Sequence, residues 1–289
     1  MSLHAVANRA LYHTSNTVTL PYDGLLDLCF DNSKFVPIFA YESNYKNFIK
    51  TSENLSGIDV VIYNHITEQS EQAKTICRMS HCNSLLIVND FPNGKPSVIA
   101  KFKEKIKEAD FVVANGEYIQ LEWGLDYYVM PSIPEFPLVK KTNLCTMAGN
   151  FNEEDLNTAN LIYNRLNPLV VDTSTNFPGF LSALSKSTFF ICPTNDISCE
   201  SAILWAMAHG CIVLTNKSKW SKQWVFNEIN GFTLDKLQDC ISIVNDLDEA
   251  SIAKISSTAR SFVRMNFPMT NKLKLNRVIN EASKKVWIL

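Results

Sequence analysis

Ser198, Glu200 and Ser201 stand together at the start of an apolar run, and residue types of this kind at a helix start suit the binding of an anion. The segment from Cys192 to Thr215 predicts a buried strand (Phe189–Cys192), a polar loop, a short helix opening near Glu200 and a second buried strand (Cys211–Leu214). Ala202, Ile203, Leu204, Ala206, Met207 and Ala208 leave that helix no polar face, so it belongs inside a layered protein, and Gly210 ends it. Its first N–H groups and the positive end of its dipole then face an open loop at the carboxyl end of a strand, where open α/β sheets bind anionic ligands. A phosphate fits there. Lys217, Lys219 and Lys222 follow the second strand and bring positive charge to the same rim.

The elements that must position these residues alternate along the chain. Short runs rich in β-branched and aromatic residues alternate with helical stretches, the pattern of βαβ units and parallel sheet. The expected strands are Phe35–Tyr41, Asp59–His65, Ser84–Asp90, Asp110–Ala114 and Tyr127–Met130, then Leu144–Ala148, Leu169–Thr173, Phe189–Cys192, Cys211–Leu214 and Gly231–Leu234. Pro131, Pro134 and Pro137 lie within one short stretch that fits neither a helix interior nor a central strand, and mark a linker. A last helix is expected over roughly Asn271 to Trp287.

Pro193-Thr194, then Glu200, then Ala206-Met207-Ala208-x-Gly210-x-x-Val213, then Asn230-Gly231-Phe232 resembles the donor-binding half of the large family of retaining GT-B glycosyltransferases. Ile241 to Val244, Ile252 and Ala259 to Val263 look like that family's closing helices, while Asp59 to His65, Leu85 to Asp90 and Ala109 to Ala114 are similar to strands of its acceptor domain. The resemblance is strongest from about Cys145 onward. It implies an α/β protein of GT-B fold, with two Rossmann-like domains whose parallel sheets face a central cleft. Residues 1–133 would form the acceptor-side domain and 138–268 the nucleotide-sugar domain, with a helix over 269–289 crossing back toward the first.

The implied reaction moves a sugar from a nucleoside-diphosphate sugar, a UDP-sugar first among them, to an acceptor hydroxyl with retention, without a metal or other cofactor. Gly149 and Asn150 in the loop after the first strand of the donor domain, with Thr194, Ser198, Glu200, Ser201, Lys217 and Lys219, are the implied donor contacts. Asp90, His65 and Glu200 are the implied catalytic groups: Asp90 to orient or deprotonate the acceptor, His65 to touch acceptor or sugar, Glu200 to accept bonds from donor hydroxyls. The chain departs from the family where chemistry is concerned. A pair of glutamates, the second directly before Ala-Met-Ala, is replaced by Ile197 and Trp205; the glycine loop carries Asn150, Glu153 and Glu154 where a basic residue and a lysine are usual; Asn89 stands for a histidine.

Those departures keep open a GT-B-shaped protein without catalysis, retained for nucleotide-sugar binding or assembly. The lysine rim keeps open a modified, hydroxymethylated DNA base as acceptor in place of a glycan or small molecule. The helix after Asn93-Gly94-Lys95-Pro96 puts Val98, Ile99, Phe102 and Ile106 on one face; Lys101, Lys103, Lys105 and Lys107, interleaved with Glu104 and Glu108, read first as a solvated face and second as a surface for a polyanion. Asp246 and Asp248 form the Asp-x-Asp pair with which the other major glycosyltransferase fold holds manganese, but their place before a helix favours an N-cap.

The 289 residues suffice for two domains, and 46% hydrophobic with 19% charged residues excludes a disordered chain. A net charge of −2 gives no basic field over the whole protein. Cys29, Cys145, Cys192 and Cys211 sit in apolar segments, and Cys77 and Cys82 lack the spacing and second pair of a zinc site, which points to a reducing compartment. With no apolar run long enough for a span and no signal-peptide core, a soluble, cytoplasmic protein is expected.

Overall fold

The computed structural model describes residues 8–14, 35–41, 58–63, 68–88, 95–148, 156–171, 177–193, 198–218 and 221–284. They divide into two compact units, one holding the described residues up to Ser132 and from Thr270 onward, the other Ile133–Met269. The first unit carries β1 (Asn8–Thr14), β2 (Phe35–Tyr41), β3 (Val60–Tyr63), β4 (Asn83–Val88), β5 (Phe111–Asn115) and β6 (Tyr128–Val129) in the order β2-β1-β3-β4-β5-β6. Every pairing is parallel. Val60 to Tyr63 and Ser84 to Val88 are buried throughout, as strands of a sheet covered on both faces must be. β1 is an addition to the expected strands, and it is a central one, with Tyr12 opposite Phe39 on one side and Ile62 on the other.

Helices α1 (Glu68–Ser80), α2 (Pro96–Lys107) and α3 (Glu117–Trp123) connect these strands. Pro96 opens α2, where its missing N–H costs nothing. Lys105 lies 3.9 Å from Glu71 and Lys107 3.2 Å from Glu104, so part of the helix's positive charge is answered locally. At the amino ends of β4 and β5, Ser84 donates through N and Oγ to Asp110 Oδ2 (2.8 Å each), and Asp110 N donates back to Ser84 Oγ (3.0 Å). That reciprocal pair fixes the strand register before the sheet begins.

In the second unit β7 (Asn143–Met147), β8 (Leu169–Val170), β9 (Ser187–Cys192), β10 (Ile212–Asn216) and β11 (Gly231–Leu234) form a parallel sheet ordered β11-β10-β9-β7-β8. Its helices are α4 (Leu156–Leu166), α5 (Phe177–Lys186), α6 (Ser198–Ala208), α7 (Ser221–Trp224), α8 (Cys240–Asp246) and α9 (Glu249–Asn266). One core joins Cys145, Phe189, Ile191, Ile212 and Leu214 of the strands to Ile162, Val244 and Ile255 of the helices. Ala202 to Ala208 are all buried, matching the apolar circumference read from the sequence. Asp248 is the N-cap of α9, its Oδ1 accepting from Ser251 N at 2.8 Å, and the bonds from Ser251 hold its carboxyl below the usual range. Asp248 is therefore committed to the helix.

A final helix, α10 (Lys272–Ala282), packs on β4 of the first unit through buried Leu275, Ile279 and Ala282. Asn83 Nδ2 donates to Ala282 O at 2.8 Å. The sequence carries this helix on to Trp287; the structure ends it at Ala282, and 285–289 lie outside the described residues. The proline-rich linker is neither helix nor strand, as its prolines require. Ile133 N donates to Phe267 O at 2.9 Å.

Candidate functional site

The register of the second sheet brings its strand ends together. Met147 of β7 stands opposite Ile191 of β9, and Cys192 opposite Thr215 of β10, so all three strands release the chain at the same end. With parallel strands ~4.8 Å apart, the exits lie within about 10 Å of one another. Sequence order reverses at β7, whose neighbours are β8 and β9, and that switch point is where open α/β sheets hold ligands. Gly149 and Asn150 follow β7, Thr194 follows β9, and Lys219 follows β10; all four lie outside the described residues. Ser198, Glu200 and Ser201 form the first turn of α6, with side chains outside the description.

Described groups shape the frame. Ala148 N donates to Ile191 O (3.1 Å), and buried Thr215 Oγ1 donates to Cys192 O (2.6 Å), pinning the last carbonyl of β9 to β10 just before the chain turns into α6. Beyond β10, Ser218 Oγ accepts from Ser221 N (3.0 Å) while Ser221 Oγ accepts from Ser218 N (2.9 Å), a reciprocal cap that starts α7. Lys217 is exposed, and its Nζ lies 2.8 Å from Asp235 Oδ2 at the end of β11. An exposed pair of this kind contributes less than about 1 kcal/mol to stability, yet it answers much of the charge that Lys217 brings to the rim. Asp235 is the residue the sequence reading lacked; nothing in the spacing of 217 and 235 foretells adjacent strand ends.

The Asn230-Gly231-Phe232 landmark is structural. Asn230 Oδ1 accepts from Phe226 N (2.7 Å) and its Nδ2 donates to Trp224 O (2.9 Å), while Asn227 Oδ1 accepts from Thr233 N (2.6 Å). A Cβ on Gly231 would meet Val225 Cγ1 at 2.8 Å and Val213 O at 2.9 Å, so only glycine lets β11 approach β10 here. Trp205, where the resemblance leads one to expect a second glutamate, is 1% exposed and its ring centroid lies 5.5 Å from that of Phe136. The position is occupied by core.

In the first unit Tyr63 pairs with Leu86, so β3 and β4 also release the chain side by side. His65 and Asp90 follow these two strand ends and lie outside the described residues. Among the described residues no three His, Cys, Asp or Glu side chains come together to hold a metal ion. Six described cysteines are free thiols, and five of them, Cys77, Cys145, Cys192, Cys211 and Cys240, are buried. No described helix is long and apolar enough to cross a membrane.

No protein-family model matches the chain, and no curated protein sequence matches it significantly. Its structure does match solved ones over nearly the whole length. HepE from Anabaena, solved in complex with UDP-glucose, superposes with a TM-score of 0.69 at 12% identity, covering 94% of this chain and 99% of that one. Sucrose-phosphate synthase from Thermosynechococcus elongatus gives 0.66 at 11% identity over 95% and 98%, and a glycosyltransferase from Rickettsia africae 0.60 at 12% over 96% and 99%. The chain has the GT-B glycosyltransferase fold.

Proposed function

We propose that this protein transfers a sugar from a UDP-sugar to an acceptor hydroxyl with retention at the anomeric carbon. The observation that carries the reading is the convergence of the donor-side segments on one switch point, with the N-terminus of buried α6 among them, in a fold whose solved example HepE was crystallised with UDP-glucose. The donor's bond between the anomeric carbon and the diphosphate oxygen breaks with its electron pair leaving on the diphosphate, a bond from that carbon to the acceptor oxygen forms, and the acceptor's proton passes to Asp90 as base. Positive charge grows on the ring and negative charge on the departing diphosphate. Amides at the start of α6, the Ser198 and Ser201 hydroxyls and the backbone at Gly149 are placed in this reading to take up the negative charge. Lys219 adds to it, with Lys217 shared with Asp235. Glu200 accepts from donor hydroxyls, and Asp90 and His65 serve the acceptor side. Lys217 is one of the three lysines on which a DNA acceptor would rest and is already paired, so the reading gives a glycan or small molecule as acceptor.

Glu200→Ala is expected to lower kcat/KM for the UDP-sugar by about tenfold or more, equivalent to ~1.4 kcal/mol, with the unfolding midpoint unchanged. Unaltered kinetics in the folded variant would remove Glu200 from the site. Turnover should also survive EDTA; activity that vanishes in EDTA and returns with manganese would overturn the metal-free mechanism. A second reading, a binding protein without turnover, is favoured by Trp205 where the family has a glutamate. It predicts stabilisation by UDP with no transfer from any donor in a panel.

A further inference from the structure

Far from the switch point, the second unit holds a cavity of about 440 Å³ between α9 and the linker. One wall is the α9 face carrying Arg260, Arg264, Ser257 and Ser261; the other is apolar, with Ile133, Phe136 and Leu138. Both pairs on α9 are spaced i, i+4, so the two guanidiniums lie one turn apart on the same side, each with a hydroxyl beside it. Arg260 spends one N–H on Phe136 O (2.6 Å), and neither arginine has an ion-pair partner among the described residues. Glu135 also lines the space and pairs with neither, which leaves a net positive charge. Two unanswered guanidiniums facing one concavity repel each other, and a bound anion removes that cost through forked, charge-assisted bonds. The volume falls in the range of small-molecule sites.

We infer that this cavity binds a small organic anion, a phosphate or carboxylate carried on a ring or short apolar body: the anion on Arg260 and Arg264, the body against Phe136 and Leu138. The site is separate from the donor site. Ala208, the last residue of α6, lines it, whereas the donor reading uses the first turn of α6, so the length of the helix, about 16 Å, lies between them. The inference does not depend on the glycosyltransferase reading.

Phenyl phosphate is the probe, titrated calorimetrically at low ionic strength into the full chain with the donor site saturated by UDP, with inorganic phosphate in parallel. Phenyl phosphate should bind, and more tightly than inorganic phosphate. Arg264→Ala, an exposed position whose side chain holds no other element, should weaken it by about tenfold to a hundredfold without moving the unfolding midpoint of the free protein. Arg264→Lys, which keeps charge but loses the fork, should fall between. Ser261→Ala provides a second variant, expected to weaken the phosphate without altering the fold. Absence of heat with both probes at millimolar concentration, or equal affinity in wild type and Arg264→Ala, overturns the site. Should UDP itself fail to bind, the donor reading falls while the Arg264 comparison still decides this one.

Discussion

Trp205→Glu is expected to yield no folded protein, and Trp205→Ala to lose about 3–5 kcal/mol. Trp205 is 1% exposed, lies on a helix without a polar face, and packs on Phe136 from the linker. Truncation to alanine removes the largest fully buried side chain of the described residues and leaves a cavity that a helix buried on all sides cannot close. Glutamate adds a carboxyl in the same place, where ionisation without a partner costs several kcal/mol more. Against a total stability of ~5–15 kcal/mol, the sum reaches the whole margin. Urea unfolding followed by circular dichroism checks both variants. A Trp205→Glu protein with a wild-type midpoint, and above all one with raised transferase activity, would show that position 205 faces ligand and not core.

Wild-type stability should decline by up to about 3 kcal/mol between pH ~6.5 and ~4 through His209 alone, and His209→Phe should lack that part. His209 is 9% exposed, stacks on Phe136 at 4.0 Å, and its Nε2 is buried without a hydrogen-bond partner among the described residues. Burial first, then the charges of Lys141 and Arg260, lower its pKa from 6.5 to about 4. Lys141 Nζ sits 2.8 Å from His209 O, held also by Leu184 O at 3.2 Å. The unfolded chain protonates this histidine near pH 6.5 while the folded one resists until about 4, so in that window the unfolded state binds more protons and gains population as pH falls. Midpoints measured from pH 4 to 7 for wild type minus His209→Phe cancel the carboxylates common to both. Parallel curves would mean the imidazole is protonated in the fold or solvated.

The strands that were legible are those whose types are unambiguous: Val60 to Tyr63, Leu85 to Val88 and Phe189 to Cys192 are continuous apolar runs, and only a sheet covered on both faces uses them. β1 escaped because Asn8-Arg9-Ala10-Leu11-Tyr12-His13-Thr14 mixes polar residues into a position that is central only in the finished sheet. Local pattern reports burial, and burial on a strand's flanks is decided by partners distant in sequence. The same limit applies to the site. The strand ends that precede Gly149, Thr194 and Lys219 were legible, while those three residues lie outside the described ones; the pairing of Lys217 with Asp235, the core role of Trp205 and the Lys141–His209 contact each join residues that only the sheet order brings together.

The position of α10 bears on how the chain is made. Its buried face and the bond from Asn83 to Ala282 complete a sheet whose strands all emerge from the ribosome before Ile133, whereas α10 emerges only after Met269. At ordinary elongation rates that interval is roughly 7–30 s. Throughout it, the surface of β4 destined for Leu275 and Ile279 waits uncovered, while the second unit can already close. A nascent chain stalled near residue 270 should therefore present protease-resistant second-unit fragments beside a chaperone-bound first half.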